Sequence, residues 1–115
     1  MKINVTELEA ASGAATNLLK ALSNRHRLVI ICQLIDSERP VGELADLLRL
    51  RPSTVSQHLA LLRKDGLVTA RRDGQTIWYS IASPGAREVV EALYRTYCSK
   101  EANTSRSDRS PRRPR

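Results

Sequence analysis

The chain contains no phenylalanine, and one tryptophan with three tyrosines brings its aromatic share to only 3%. Aromatic rings carry the largest apolar areas, so aliphatic side chains have to fill the core instead. At 115 residues the chain is one domain by length, with room for a modest core. A small aliphatic core of this kind often needs a partner chain to complete it. Long apolar runs are also missing. The longest, Leu28–Cys32, has five residues, against roughly 18 for a bilayer span. No basic segment followed by an apolar stretch opens the sequence, so no secretory signal is expected. Both absences point to the cytoplasm and away from a membrane. The sequence offers no nucleophile–base pair, phosphate-cradling glycine loop or metal cluster, so an enzyme is not expected and no cofactor is implied.

Positive charge, by contrast, is in excess. The formal net charge is +7, a balance that suits a polyanion such as nucleic acid. Part of that excess sits at the end. Residues 99–115 hold six basic against two acidic side chains, which leaves +3 for the remainder. This stretch is Ser, Arg and Pro with a single Ala as its only apolar residue. It is expected to be a disordered basic tail beyond a folded domain of residues 1–98. Such a tail either adds salt-sensitive attraction to DNA or merely solubilises the chain.

Within residues 1–98 the apolar period is first helical. A first helix is expected over Thr6–Ala21, with Leu8, Ala11, Ala15, Leu18 and Leu19 on one face. Ser23 or Asn24 can cap a second, Arg25–Asp36. A short third helix spans Val41–Leu48. Pro52, suited to a first helical position, starts a fourth that runs to Lys64, and Gly66 ends it. The period then changes. Leu67–Arg72 and Thr76–Ile81 are β-prone and flank Asp73-Gly74, a hairpin signal. Pro84–Cys98 reads as a last helix, with Val89, Val90, Leu93, Tyr94 and Tyr97 at helical spacing.

The expected fold is therefore mainly α with a small β-hairpin wing, in the order ααααββα. Two short helices joined by a few residues form a helix-turn-helix, whose second helix lies in the major groove. The first half of that helix carries Ser53, Thr54, Ser56, Gln57 and His58, polar groups suited to base edges and phosphates. Val55, Leu59 and Leu62 face the core. The hairpin tip holds Arg71, Arg72 and Gln75, which would reach phosphates or a minor groove.

These residues carry a resemblance. Ala21-Leu22-Ser23-Asn24-Arg25-His26-Arg27-Leu28, Val41-Gly42-Glu43-Leu44-Ala45 and Ser53–Arg63 resemble the ArsR/SmtB family of bacterial repressors, and Gly66-Leu67-Val68 and Arg71–Tyr79 continue the match. The resemblance implies a winged helix-turn-helix homodimer, joined through its first and last helices. It implies repression at a pseudo-palindromic operator of double-stranded DNA, relieved by an inducer. One departure is Arg51-Pro52, where the family usually has Ser and a polar residue. A hydroxyl cap is lost there, and Arg51 can gain a phosphate contact.

Many relatives sense metals through converging thiolates, imidazoles and carboxylates. Here the third helix has no Cys and the last has no His, so the family's metal sites are not expected. The positions of Cys32, after Ile30-Ile31, and Cys98, after Leu93-Tyr94-Arg95-Thr96-Tyr97, resemble instead the BigR/SqrR-type, HlyU-like persulfide-sensing subgroup. That resemblance implies a dithiol switch. Reactive sulfur species would link Cys32 and Cys98 through a disulfide or polysulfide bridge and release the DNA. Other readings of the residues stay open. Free cysteines often act as small buried hydrophobes, which would make this a constitutive regulator or an activator. A winged fold can also serve as a protein-interaction module without DNA.

Overall fold

In the computed structural model, which describes residues 1–98, the order is α1 (Val5–Ala10), α2 (Ser12–Leu22), α3 (Arg25–Gln33), α4 (Val41–Leu48), α5 (Pro52–Lys64), β1 (Val68–Asp73), β2 (Thr76–Ile81) and α6 (Pro84–Cys98). The expected basic tail, 99–115, lies outside the described residues. Among the described residues no helix is long and apolar enough to cross a membrane.

Helix boundaries follow the local chemistry. The Asn24 side chain accepts the backbone N–H groups of His26 (2.9 Å) and Arg27 (3.1 Å), which starts α3. Ser83 does the same for α6, its hydroxyl accepting Ala86 N–H at 3.0 Å. Arg51 precedes Pro52 with no side-chain cap. At the other end of α5, Gly66 takes φ +81°. Its N–H bonds Arg63 C=O, and the Leu67 N–H bonds Leu62 C=O at 2.9 Å. This is the Schellman closure, and it turns the chain straight into β1. The same pair of bonds ends α4, but there the left-handed residue is Arg49 (φ 57°), at a cost of about 1–2 kcal/mol.

The first helix differs from the expectation. It breaks at Ala11 into α1 and α2. The Ser12 hydroxyl bonds the Glu9 carbonyl at 2.8 Å, and Gly13, a weak helix former, follows. No residue of α1 is buried, so packing does not hold the two pieces straight. The wing also shifts by one residue. Asp73 pairs with Thr76, so Gly74 and Gln75 are the central turn residues. Gly74 alone of the two has positive φ, at 66°, as a II′ hairpin turn requires.

The core is aliphatic throughout. Ile30, Ile31 and Leu34 meet Leu44 and Ala45 of α4, Val55, Leu59 and Leu62 of α5, Leu67 and Val68, and Ala86 and Val90 of α6. None of its buried side chains is polar or charged. Helix ends are closed by arginines. Arg27 Nε donates to Ala21 C=O (2.7 Å), Arg39 Nε to Gln33 C=O (2.6 Å) and Arg87 Nη1 to Ile35 C=O (3.0 Å). Several of the cations counted in the net charge are thus occupied inside the fold. Other expected core positions stay open to solvent: Leu8, Leu19, Tyr94 and Tyr97 are exposed.

Leu62 is completely buried and belongs to both the core and the α5 closure. Leu62→Ala is expected to lower unfolding free energy by about 2–5 kcal/mol, read from the urea midpoint. A drop below about 1 kcal/mol would contradict this packing.

Candidate nucleic-acid interface

The expected recognition helix is α5, and its two faces separate cleanly. Val55, Leu59 and Leu62 are buried, while Ser53, Ser56 and Gln57 are exposed on the outer side of its first half. Arg51, just before the helix, is exposed as well, and Thr54 is half-buried. The exposed set combines a forked amide with two hydroxyls, groups that can donate to and accept from base edges and phosphates.

His58 behaves differently. It is half-buried, and its ring lies 5.7 Å from that of His26 on α3, tilted by 49°. Its buried Nδ1 has no hydrogen-bond partner. Burial, then the charges of Arg27 and His26, push the His58 imidazole below its usual range. The side chain joins α5 to α3 instead of extending outward as Gln57 does. Nothing in the residues around His58 signals this, because His26 lies 32 positions away.

The wing follows directly. Alternation along β1 sets Arg71 on one face of the ribbon and Arg72 on the other. Arg72 and Gln75 are exposed at the tip, and Arg72 Nε donates to the carbonyl of Gly74 at 3.2 Å. Arg71 is already paired. Its Nε and Nη2 donate to the two carboxylate oxygens of Glu38 at 2.9 and 2.7 Å. Its guanidinium carbon stands 5.9 Å from the centre of the Trp78 ring. The paired guanidinium holds the Glu38 carboxyl below the usual carboxylate range. Glu38, on the segment between α3 and α4, carries no mark of this role in the sequence, because its partner is 33 residues away. A shallow depression beside Ser56 is lined also by Tyr79 of β2 and by Arg63 and Lys64, the two cations in the last turn of α5 itself.

The two thiols belong to other elements, α3 and α6, which pack together. Cys32 lines a cleft of about 370 Å³ with Ile35, Val90, Glu91, Tyr94 and Arg95. Cys98 stands at the last residue of α6, and both thiols have exposed surface and are unbridged. Atoms crowding the cleft desolvate Cys32 and push its thiol up, and the nearby Cys98 thiolate pushes in the same direction. The fold therefore sets two cysteines that are 66 positions apart on two helices that pack against each other. Among the described residues no group of three or more His, Cys, Asp or Glu could hold a metal ion.

A profile described as "Bacterial regulatory protein, arsR family" matches residues 24–70, from the Asn24 cap into β1. The chain is 47% identical over 96 residues to the transcriptional activator HlyU of Vibrio cholerae, covering 84% of this chain and 89% of that protein. It is 37% identical over 95 residues to the biofilm growth-associated repressor of Xylella fastidiosa, covering 83% of each. The crystal structure of the Xylella fastidiosa repressor BigR superposes with a TM-score of 0.79 at 35% identity, over 84% of this chain and 98% of that one. The family is one of transcription regulators and not of enzymes. With its helix-turn-helix, its wing and this level of identity, the chain belongs to the arsR family of bacterial DNA-binding regulators.

Proposed function

We propose that this chain is a homodimeric repressor that binds a pseudo-palindromic operator and releases it when Cys32 and Cys98 become linked in response to reactive sulfur. The observation that carries the DNA reading is α5 itself. An exposed polar first half, with Ser53, Ser56 and Gln57, sits over a completely buried apolar face and runs at once into a basic wing. Arg51, Thr54, Arg72 and Gln75 complete the contact surface, with His58 as its inner support. Such a regulator would work in the cytoplasm, where the DNA is.

Exposed apolar side chains support the dimer. Ile3, Val5 and Leu8 at and around α1, Leu19 on α2, and Tyr94 and Tyr97 on α6 are more than half exposed. They lie on or beside α1, α2 and α6, and a second copy would remove them from water. Sedimentation should find a dimer at micromolar concentration, and the pair Leu19→Asp with Tyr97→Asp should shift it to monomer. A monomeric unsubstituted chain would end this reading.

The switch is supported by two thiols on helices that pack together, Cys32 in the cleft and Cys98 at the end of α6. Cys98, at the exposed helix end, is assigned the first attack, since Cys32 sits in the cleft, where burial pushes its thiol up. The Cys98 thiolate attacks the outer sulfur of a persulfide RS–SH, forming Cys98–S–SH and expelling RS⁻. The Cys32 thiolate then attacks the Sγ of Cys98, closing the disulfide and expelling HS⁻. One more sulfane sulfur in the chain gives the polysulfide bridge. Either link would tie α3, which backs α4 and α5, to α6, and so alter the spacing of the two recognition helices.

A second reading, activation in place of repression, is favoured by the activator role in the name of the Vibrio cholerae relative. A promoter-reporter fusion separates the two by the sign of the change on deletion. The experiment for the switch is a mobility shift with reduced protein before and after treatment with a persulfide donor, with mass spectrometry of the same samples. Treated protein should lose DNA affinity and carry a Cys32–Cys98 crosslink, and Cys98→Ser should do neither. Because the Cys32 pKa is raised, crosslinking should quicken as pH rises from about 7 toward 9. Two inert thiols, or a crosslink that leaves affinity unchanged, would refute the switch.

A further inference from the structure

Arg71 and Arg72 are neighbours in sequence, and both are expected from the sequence to touch DNA. The ribbon assigns them different surroundings. Arg71 shares its face with Trp78, its cross-strand partner, and Arg72 shares the other with Ile77. The Arg71 face is committed to the body of the protein. Both carboxylate oxygens of Glu38 take Arg71 N–H groups, and the guanidinium lies by the indole. The next residue, Arg39, adds a backbone bridge to β2: its N–H donates to Tyr79 C=O at 3.0 Å, and the Tyr79 N–H donates to Arg39 C=O at 2.9 Å. Arg39 is itself held, its Nε on the Gln33 carbonyl and its Nη1 on Glu43 of α4. The 34–40 segment thus grips the wing twice and is in turn tied to α3 and α4.

We propose that Glu38 and Arg71 form a clamp that sets the angle of the wing, so that Arg71 is a positioning residue while Arg72 carries the phosphate contact. An isolated exposed ion pair contributes little. This one is bidentate, lies beside an aromatic ring and adjoins a two-bond backbone bridge, so the pair locks an orientation that is already nearly fixed. The backbone bridge holds β2 only at Tyr79, so beyond it no third strand stiffens the two-stranded ribbon, and the pair limits the remaining swing of its tip. Free Arg71 would supply charge but not aim.

The clamp rests on the DNA-binding reading, yet it has a signal that needs no DNA. Trp78 is the only tryptophan, so intrinsic emission reports whether the guanidinium stays beside the ring. Glu38→Gln should change that emission in the free protein, as should Arg71→Lys. With duplex DNA selected by the unsubstituted chain, both variants should bind several-fold more weakly with an unchanged salt slope. Arg72→Ala should reduce the slope by about 0.9 for each phosphate it no longer neutralises. Combining Glu38→Gln with Arg71→Lys should cost no more than either alone, since both break one pair. Full affinity in Arg71→Lys with a reduced slope in Arg71→Ala would make Arg71 a phosphate-binding residue and overturn the clamp. Tighter or unchanged binding by Glu38→Gln would overturn it too. Failure of the unsubstituted chain to bind any duplex would instead remove the DNA reading, with the emission result left to judge the pair.

Discussion

Ile30 and Ile31 are fully buried in the middle of α3, and α2, α4, α5 and α6 all touch that helix. This packing is the constraint on which the rest of the molecule depends. With no phenylalanine available, branched aliphatic side chains fill the centre, and the stiffness of isoleucine at χ1 suits a position where four helices converge. The recognition helix is held from behind by Val55, Leu59 and Leu62, so its outer residues are free to meet a ligand. The same helix α3 carries Cys32 one residue beyond the buried pair. On the proposed reading, a covalent change at that thiol would act on the hub and not on a loose end.

From this hub two polar connections run outward. Arg39, from the following segment, closes the last carbonyl of α3, and Arg87 of α6 holds the Ile35 carbonyl just beyond it. Glu38 and Arg39 then pass the position of that end on to the wing. The wing and the end of α3 are therefore joined by few, identifiable bonds. On the proposed reading α5 supplies the groups that read bases, the wing supplies charge at a set angle, and α3 with α6 decides how two such units are spaced.

Much of this is legible in the sequence wherever the signal is local. Asn24, Pro52 and Gly66 mark helix ends through their own geometry, and the buried stripe of α5 repeats at three- and four-residue spacing. Ser53, Ser56 and Gln57 are visible as a polar face for the same reason. What escapes depends on distant partners or on weak local preference. The break at Ala11 arises because α1 buries nothing in this chain. Leu8 and Leu19 look like core residues by period alone, whereas the fold of a single chain leaves them outside. His58 turns to His26, and Arg71 to Glu38, through interactions that no short window contains. That Cys32 and Cys98 lie on helices that touch likewise belongs to the packing of α3 on α6, and in the sequence only the family resemblance pairs them.

The central claim is that the outer face of α5 reads DNA. It is tested most directly by the affinity of Gln57→Ala for a duplex selected from random sequence by the unsubstituted chain, at one fixed salt concentration. A forked amide on a base edge is worth about 1–3 kcal/mol, so affinity should fall by about 5- to 150-fold with the helical circular-dichroism signal unchanged. Unaltered affinity in that variant would contradict the claim.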